Sequence, residues 1–228
     1  MSSKSIKTSF GLSPLFIVVL ALLTAIAPLA TDMYLAALPA VAENLSTTST
    51  NASLTLSAFM VGMALGQLVV GPLSDKTGRR KPLLFGVVIC FIATVACGFA
   101  PNIELLIFAR FMMGFAGSIG AVLARSIVAD TTQGLATAKL MGVMMMINGF
   151  APVLAPLFGG WVLSWGNWRD IFHVLSVITA VMMLGVIFVI KETLPVEERY
   201  QGTALSVYSE LPKVFKIRRY MGFMLTMC

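Results

Sequence analysis

Charged residues are scarce in this chain of 228 residues, since Asp, Glu, Lys and Arg together make up 11% of it. Soluble globular domains carry about 25% charged residues, so this composition excludes an ordinary soluble fold. Hydrophobic residues make up 58% of the chain, and the mean hydropathy is +0.91. The composition therefore indicates a polytopic membrane protein whose main partner is the lipid bilayer.

Cysteine and histidine are almost absent. The three cysteines, Cys90, Cys97 and Cys228, do not form the even, closely spaced set that a disulfide framework needs. Neither they nor the single histidine, His173, have the spacing of a metal-ligand motif. We therefore predict no disulfide, no metal and no cofactor.

Long apolar runs, by contrast, fill most of the chain. A helix that crosses a bilayer needs about 20 apolar residues, and six such runs lie at 12–38, 53–74, 82–100, 104–129, 139–164 and 170–191. A seventh run begins near Tyr220 and reaches the last residue. The sequence predicts an all-α membrane protein with a six-helix domain over 1–191, a polar loop over 192–219 and the start of a seventh helix over 220–228.

The loop cations lie almost entirely on one side of this arrangement. That side carries Lys4, Lys7, Lys76, Arg79, Arg80, Lys81, Lys139, Lys191, Arg199, Lys213, Lys216, Arg218 and Arg219, whereas the opposite side carries Arg169. Because short cytoplasmic loops are enriched in Lys and Arg, we predict that the amino terminus and the loop over 192–219 are cytoplasmic. This topology explains the net charge of +6 without nucleic-acid binding.

The loop over 192–219 has two interpretations. Leu205, Tyr208, Leu211 and Phe215 recur at helical spacing, which favours an amphipathic helix on the membrane surface. A flexible linker explains the same residues equally well.

A short basic segment separates the second and third runs. It reads Gly71-Pro72-Leu73-Ser74-Asp75-Lys76-Thr77-Gly78-Arg79-Arg80-Lys81-Pro82. Its cations must lie at a membrane face, because each would cost about 2.5–3.5 kcal/mol at the centre of a bilayer. The pattern Gly-x-Leu-Ser-Asp-x-x-Gly-Arg-Arg resembles the loop between helices two and three of the major facilitator superfamily of transporters.

Further motifs extend this resemblance. In the first run, Ala30-Thr31-Asp32-Met33-Tyr34-Leu35-Ala36-Ala37-Leu38-Pro39 resembles the Bcr/CflA group of drug–proton antiporters. In the fourth, Arg110 and Gly114 match an Arg-x-x-x-Gly signature, with Met113 where glutamine is usual. The fifth keeps the spacing of the antiporter glycine motif at Gly142, Ala151, Ala155, Pro156, Gly159 and Gly160, with alanine for glycine at 151 and 155. Trp168-Arg169 and Glu192-Thr193-Leu194, on either side of the sixth run, also fit the group.

The resemblance implies both a fold and a function. The six spans would form two inverted three-helix repeats and the amino-terminal half of a twelve-helix transporter, so the carboxy-terminal six-helix half would be a partner. The implied function is proton-coupled export of small-molecule drugs by alternating access across a bacterial inner membrane, which produces multidrug efflux and antibiotic resistance.

Asp32 is the acidic residue well inside a predicted span, and an intramembrane carboxylate is a functional hypothesis by default. It lies about six residues, or roughly 9 Å, from the outer end of the first run, and Arg110 lies about equally deep in the fourth. We expect the two to be partners across a cavity. They would form either a proton-coupling site or a static ion pair between two helices.

A second charged set lies near the cytoplasmic ends of the second and fourth runs. The resemblance implies a gating role for Gly71, Asp75, Gly78, Arg79, Arg80, Arg125 and Asp130. A cluster of opposite charges at a helix end can hold one conformation closed and open when another is favoured. Gly78 is expected to make the tight turn.

Small residues recur at every fourth position of the fifth run, at Ala151, Ala155 and Gly159, and form a strip that allows close helix approach. The resemblance implies that this strip seals the interface between the two halves, and packing within this half is the alternative. The candidate substrate contacts are Tyr34, Gln67, Met113 and Asn148.

Two other functions fit six spans. Ser118 and His173 are the residue types of a rhomboid-type intramembrane serine protease, but Ser118 lies in Ala116-Gly117-Ser118-Ile119 and not in Gly-x-Ser-Gly. A small membrane protein that works as a dimer of halves is the second alternative. We expect a transporter and not an enzyme.

Overall fold

The computed structural model describes residues 13–200, which form seven α-helices, one 3₁₀ turn and no strand. The elements are α1 (Pro14–Leu35), α2 (Leu38–Asn44), α3 (Ser49–Thr77), α4 (Arg80–Gly98), α5 (Ile103–Thr131), α6 (Leu135–Trp165), α7 (Trp168–Val189) and the turn Val196–Glu198. The proposed amphipathic helix of the polar loop and the start of a seventh span lie outside the described residues.

Six of these helices are long and apolar enough to cross a membrane, which confirms the predicted spans. The seventh, α2, has only seven residues. The sequence predicts a first span that continues to residue 38, whereas α1 ends at Leu35. Pro39 explains the break, because it has no N–H to donate to the Leu35 carbonyl and its ring would clash with that group.

The six long helices pack in a symmetric pattern. The helix α1 packs on α6, α3 packs on α5, and α4 packs on α7. If α1, α3 and α4 are exchanged with α5, α6 and α7 in that order, the pair α1–α6 becomes α5–α3 and the pair α4–α7 is unchanged. The same three pairs therefore remain after the exchange. Since three passes carry the chain to the opposite side of the bundle, the exchange also inverts the helix directions. This packing is the pattern that two inverted three-helix repeats produce.

Glycines bring α3 and α5 into backbone contact. A Cβ atom at Gly62 would overlap the Phe111 carbonyl oxygen, and one at Gly114 would overlap the Phe59 carbonyl oxygen. Such close approach at small residues is typical of membrane helices. The glycine of the Arg-x-x-x-Gly signature therefore has a packing role.

The small-residue strip of α6 also packs inside this six-helix unit. Ala151, Ala155 and Gly159 are buried, and a Cβ atom at Gly159 would overlap the Met33 carbonyl oxygen of α1. The strip therefore packs against α1, as in the alternative of packing within this half. Three residues of the motif, Gly142, Pro156 and Gly160, are exposed on α6.

Candidate functional site

Arg110 of α5 is completely buried between four helices. Its Nη1 atom donates a hydrogen bond of 2.9 Å to the Ala30 carbonyl oxygen of α1. The guanidinium carbon lies 4.5 Å from the ring centroid of Tyr34, 4.6 Å from that of Phe59 and 5.7 Å from that of Phe172. We call these three rings the aromatic cage. Each ring lies on a different helix, so the cage joins α1, α3 and α7 to α5 through contacts that are worth about 2 kcal/mol when desolvated.

No carboxylate forms an ion pair with Arg110 among residues 13–200. Its Nε and Nη2 atoms also have no hydrogen-bond partner there. Arginine cannot be deprotonated in proteins. The positive charge is therefore balanced by the Ala30 carbonyl and the faces of the aromatic cage.

Asp32 is half-buried and forms no ion pair with Arg110 within residues 13–200, so the alternative of a static ion pair between the two helices has no support in this structure. Helix geometry gives the reason. Ala30 and Tyr34 of α1 contact Arg110, and Asp32 is two residues from each of them, which is about 200° around the helix. Asp32 therefore leaves α1 on the side opposite Arg110, although the two residues are at similar depth.

The four predicted substrate contacts do not share one surface. Tyr34 belongs to the aromatic cage, and the Met113 sulfur lies 3.9 Å from Arg110 Nη1, so both are in the core. Gln67 is exposed on α3, and Asn148 is half-buried on α6.

A second site lies where α3 meets α4. Arg79 Nε donates to Asp130 Oδ2 at 3.0 Å, and Arg79 Nη1 donates to Asp75 Oδ1 at 2.5 Å. The preceding residue, Gly78, has a φ angle of +91°, in the left-handed region that favours glycine. The structure thus brings Asp75, Arg79 and Asp130 together, and it places Gly78 at the tight turn.

Glu192, which lies just after α7, completes this site, and we call Asp75, Arg79, Asp130 and Glu192 the Arg79 cluster. Glu192 Oε1 accepts the backbone N–H of Arg79 at 2.8 Å. The sequence analysis names Glu192 only as part of a motif and does not predict its contact with Arg79. The signal that could have indicated this contact is that Glu192 is an acidic residue on the same predicted side of the membrane as the basic turn.

Electrostatics favour the charged forms in this cluster. Burial alone would raise the pKa of Glu192, but hydrogen bonds from four backbone N–H groups outweigh it and hold the pKa below its ordinary value. Burial alone would lower the pKa of Arg79, but Asp130 and Asp75 outweigh it and raise the pKa.

The other residues of the predicted gating set lie outside these ion pairs. Arg80 Nη2 donates to the Ile187 carbonyl oxygen of α7 at 3.2 Å. Arg125 is exposed and forms no ion pair within residues 13–200. Gly71 is half-buried, with open space where a Cβ atom would lie.

At the opposite end of the bundle, Arg169 joins three loops and has no acidic partner in the part of the chain that the structure describes. Its Nη1 atom donates to Asn44 Oδ1 at 2.6 Å, and its Nη2 atom donates to the Ala100 carbonyl oxygen at 3.0 Å. Its guanidinium carbon lies 4.3 Å from the ring centroid of Trp168, and Trp168 Nε1 also donates to Asn44.

The protease alternative has no support in the structure. The Ser118 hydroxyl donates to the Phe115 carbonyl oxygen, whereas the His173 ring packs edge-on against Phe99. Two residues with such different neighbours do not form a catalytic dyad.

Six candidate spanning helices in two exchangeable sets of three place the chain in the class of multi-pass membrane proteins. The family model described as Major Facilitator Superfamily matches residues 20–228, and the chain belongs to this superfamily, as the motifs predict.

The chain is similar in sequence to bacterial transporters and similar in fold to a human one. The MFS-type transporter YdgK of Bacillus subtilis (strain 168) is 39% identical over 91% of this chain and 52% of its own length. The bicyclomycin resistance protein homolog of Haemophilus influenzae is 28% identical over 92% of this chain and 53% of its own length. The crystal structure of the human organic anion transporter MFSD10 (TETRAN) has a TM-score of 0.66 at 19% identity, over 82% of this chain and 50% of that one, so it shares the fold. The chain spans about half the length of these proteins.

Proposed function

We propose that this chain forms one six-helix half of a bacterial transporter that exports small-molecule drugs in exchange for protons across the cytoplasmic membrane. Membership of the superfamily, the six spans and the likeness to a bicyclomycin resistance protein homolog support this proposal. A second six-helix half, carried on the same protein or supplied by a second copy, completes the transport path.

The observation that carries the proposal is the half-buried carboxylate of Asp32 on α1, which forms no ion pair within residues 13–200. A carboxylate inside a membrane span is costly and marks an ion or proton pathway. Because Asp32 faces away from the Arg110 core, it is free to meet a drug or a second half on the other side of α1. We assign the exchanged proton to Asp32.

One proton is sufficient as the energy source. A charge that crosses a membrane potential of 100 mV releases about 2.3 kcal/mol. Since about 1.4 kcal/mol corresponds to a factor of ten in concentration, one proton supports a drug gradient of several tens-fold.

Arg110 is the second residue of the proposed coupling site, and it acts through α1. Its hydrogen bond to the Ala30 carbonyl and its contact with Tyr34 fix the orientation of α1 about its own axis. The rotation of α1 in turn decides which surface Asp32 faces, and hence its access to protons.

The Arg79 cluster is the proposed gate. Its ion pairs join the ends of α3 and α5 to the α4 turn, so opening this end of the bundle requires that they break or move together. Pairs of this kind hold one state and release when another is favoured.

The proposed orientation places the Arg79 cluster in the cytoplasm, in agreement with the cation distribution. Cysteine labelling in whole cells tests it, in a background with Cys228 replaced by serine, because Cys90 and Cys97 are buried. A membrane-impermeant maleimide added outside should label Ser46→Cys but not Thr77→Cys. The reverse result would overturn the orientation.

Transport itself is tested in inverted membrane vesicles that contain the full-length protein. Ethidium or bicyclomycin should accumulate when respiration acidifies the vesicle interior, and a protonophore should abolish the accumulation. Accumulation that ignores the protonophore would contradict proton coupling, and a complete lack of drug movement would contradict drug export.

A further inference from the structure

The carboxylate of Glu192 lies on the amino-terminal end of α4. Its Oε1 atom accepts the backbone N–H of Arg79 at 2.8 Å, and its Oε2 atom accepts that of Arg80 at 3.4 Å. The first N–H groups of a helix have no partner within the helix, and the partial positive charge of this end attracts an anion. Glu192 therefore caps α4 from a position more than a hundred residues away in the chain.

The same carboxylate also organises the segment that follows α7, which we call the strap (residues 192–200). Oε1 accepts the backbone N–H groups of Thr193 and Leu194, both at 3.1 Å. Oε2 forms an ion pair of 3.5 Å with Arg199 Nη2. One side chain thus binds the strap to the α3–α4 turn.

Two further contacts fasten the strap to the gate residues themselves. The Thr193 hydroxyl donates to Asp130 Oδ2 at 3.2 Å, the oxygen that also binds Arg79. The backbone N–H of Tyr200 donates to the Asp75 carbonyl oxygen at 2.9 Å. The strap therefore contacts both acidic partners of Arg79.

The absence of a side chain at Gly78 leaves the space that the Glu192 carboxylate occupies. A Cβ atom at Gly78 would overlap Glu192 Oε2 and would crowd Arg199 Nη2. The glycine of the basic motif thus serves two needs, since it adopts the left-handed conformation and leaves room for Glu192.

We infer that Glu192 is a positioning residue for the gate: it fixes the backbone at Arg79 by capping α4 and ties the strap to that turn. Any movement of the turn then has to carry the strap with it or release it. The link between positioning and gating rests on the proposed function, whereas the capping contact itself does not.

Hydrogen–deuterium exchange of the full-length protein in nanodiscs tests the capping contact directly. In Glu192→Gln, the amides of Arg79 and Arg80 should exchange about tenfold faster, equivalent to about 1.4 kcal/mol of lost protection. The matched control is Glu197→Gln, an exposed residue of the strap, which should leave these amides unchanged. Equal exchange in the parent protein and Glu192→Gln would overturn the inference.

The functional arm uses the same two variants in drug transport. Glu192→Gln should lower the turnover severalfold and leave the KM for ethidium unchanged, because it alters the gate and not the drug site. Faster amide exchange with an unchanged turnover would overturn the positioning role in gating, without bearing on whether the protein transports. Absence of transport in the parent protein would instead count against the proposed function.

Discussion

Arg79 and Arg110 occupy two regions of one helical unit and are held in opposite ways. The Arg79 side chain is 12% exposed and binds two carboxylates, of which Asp75 is 49% exposed and Asp130 is 21% exposed. Arg110 is fully buried, binds no carboxylate within residues 13–200 and is surrounded by the aromatic cage.

We propose that this difference separates a movable region from a fixed one. Ion pairs near a surface are worth about 0–1 kcal/mol each, so the Arg79 cluster can open and close without unfolding the protein. Disrupting the partners of a buried charge costs about 3–5 kcal/mol, so Arg110 belongs to a framework that stays assembled. A transporter that alternates between states needs both regions.

The largest effect on stability is expected from Arg110→Ala. It removes the Ala30 hydrogen bond and the cation–π contacts and leaves a cavity, so we expect a loss of about 3–5 kcal/mol. Arg110→Met keeps the volume and removes the incompletely bonded charge, so its loss should stay below about 1.5 kcal/mol.

Thermal unfolding in detergent measures both Arg110 variants, with the exposed Arg125→Ala as the control. The control should change stability by no more than about 0.5 kcal/mol. If Arg110→Ala and Arg125→Ala have the same unfolding midpoint, the contrast between the two regions is wrong.

Gly159→Ala tests the tight packing of the fixed region with a neighbouring control. The added methyl group would overlap the Met33 carbonyl oxygen, so we expect a loss of about 1–3 kcal/mol. Gly160→Ala, which has open space, should instead gain up to about 1 kcal/mol from helix propensity. Equal unfolding midpoints for the two variants would show that α6 does not pack closely on α1.

Asp75→Asn tests the movable region, where function should change more than stability. We expect a stability change below about 1 kcal/mol and slower transport with largely unchanged drug binding, because the population of states shifts and the drug site does not. Equilibrium binding and transport rates in the full-length protein measure this. Lost binding with an unchanged conformational equilibrium would argue against a gate.

The smallest expected effect is the pH dependence that Glu192 contributes. Because its pKa in the folded protein is held below the ordinary value of 4.5, its stabilising contribution is complete above that value and is lost as the pH falls through the lowered pKa. The gap between the unfolding midpoints of the parent protein and Glu192→Gln should therefore be widest near pH 7 and narrow below about pH 4.5. A gap that widens on acidification would contradict the lowered pKa.

The spans and the basic turn could be predicted from the sequence because their signals are local. Apolar length defines a span, and clustered cations define a membrane face. The end of the first span was predicted at residue 38, whereas α1 ends at Leu35, because Pro39 marks the region of the break but not the last residue of the helix.

The direction of a side chain could not be predicted in the same way. Spans such as α1 are apolar all round, because lipid and protein interior are both apolar, so no polar face reveals which way Asp32 points. Counting residues gave a similar depth for Asp32 and Arg110 but not their opposite faces. The role of Glu192 depends on a contact with Arg79 over 113 residues of sequence separation, which no local pattern encodes.

The central claim is that Asp32 carries the exchanged proton, and proton release on drug binding tests it most directly. Ethidium added to weakly buffered, detergent-solubilised full-length protein should release protons from the parent and from the Asp75→Asn control. Asp32→Asn should still bind the drug, because a neutral side chain mimics the protonated state, but should release none. Unchanged proton release in Asp32→Asn would show that the coupling carboxylate lies elsewhere.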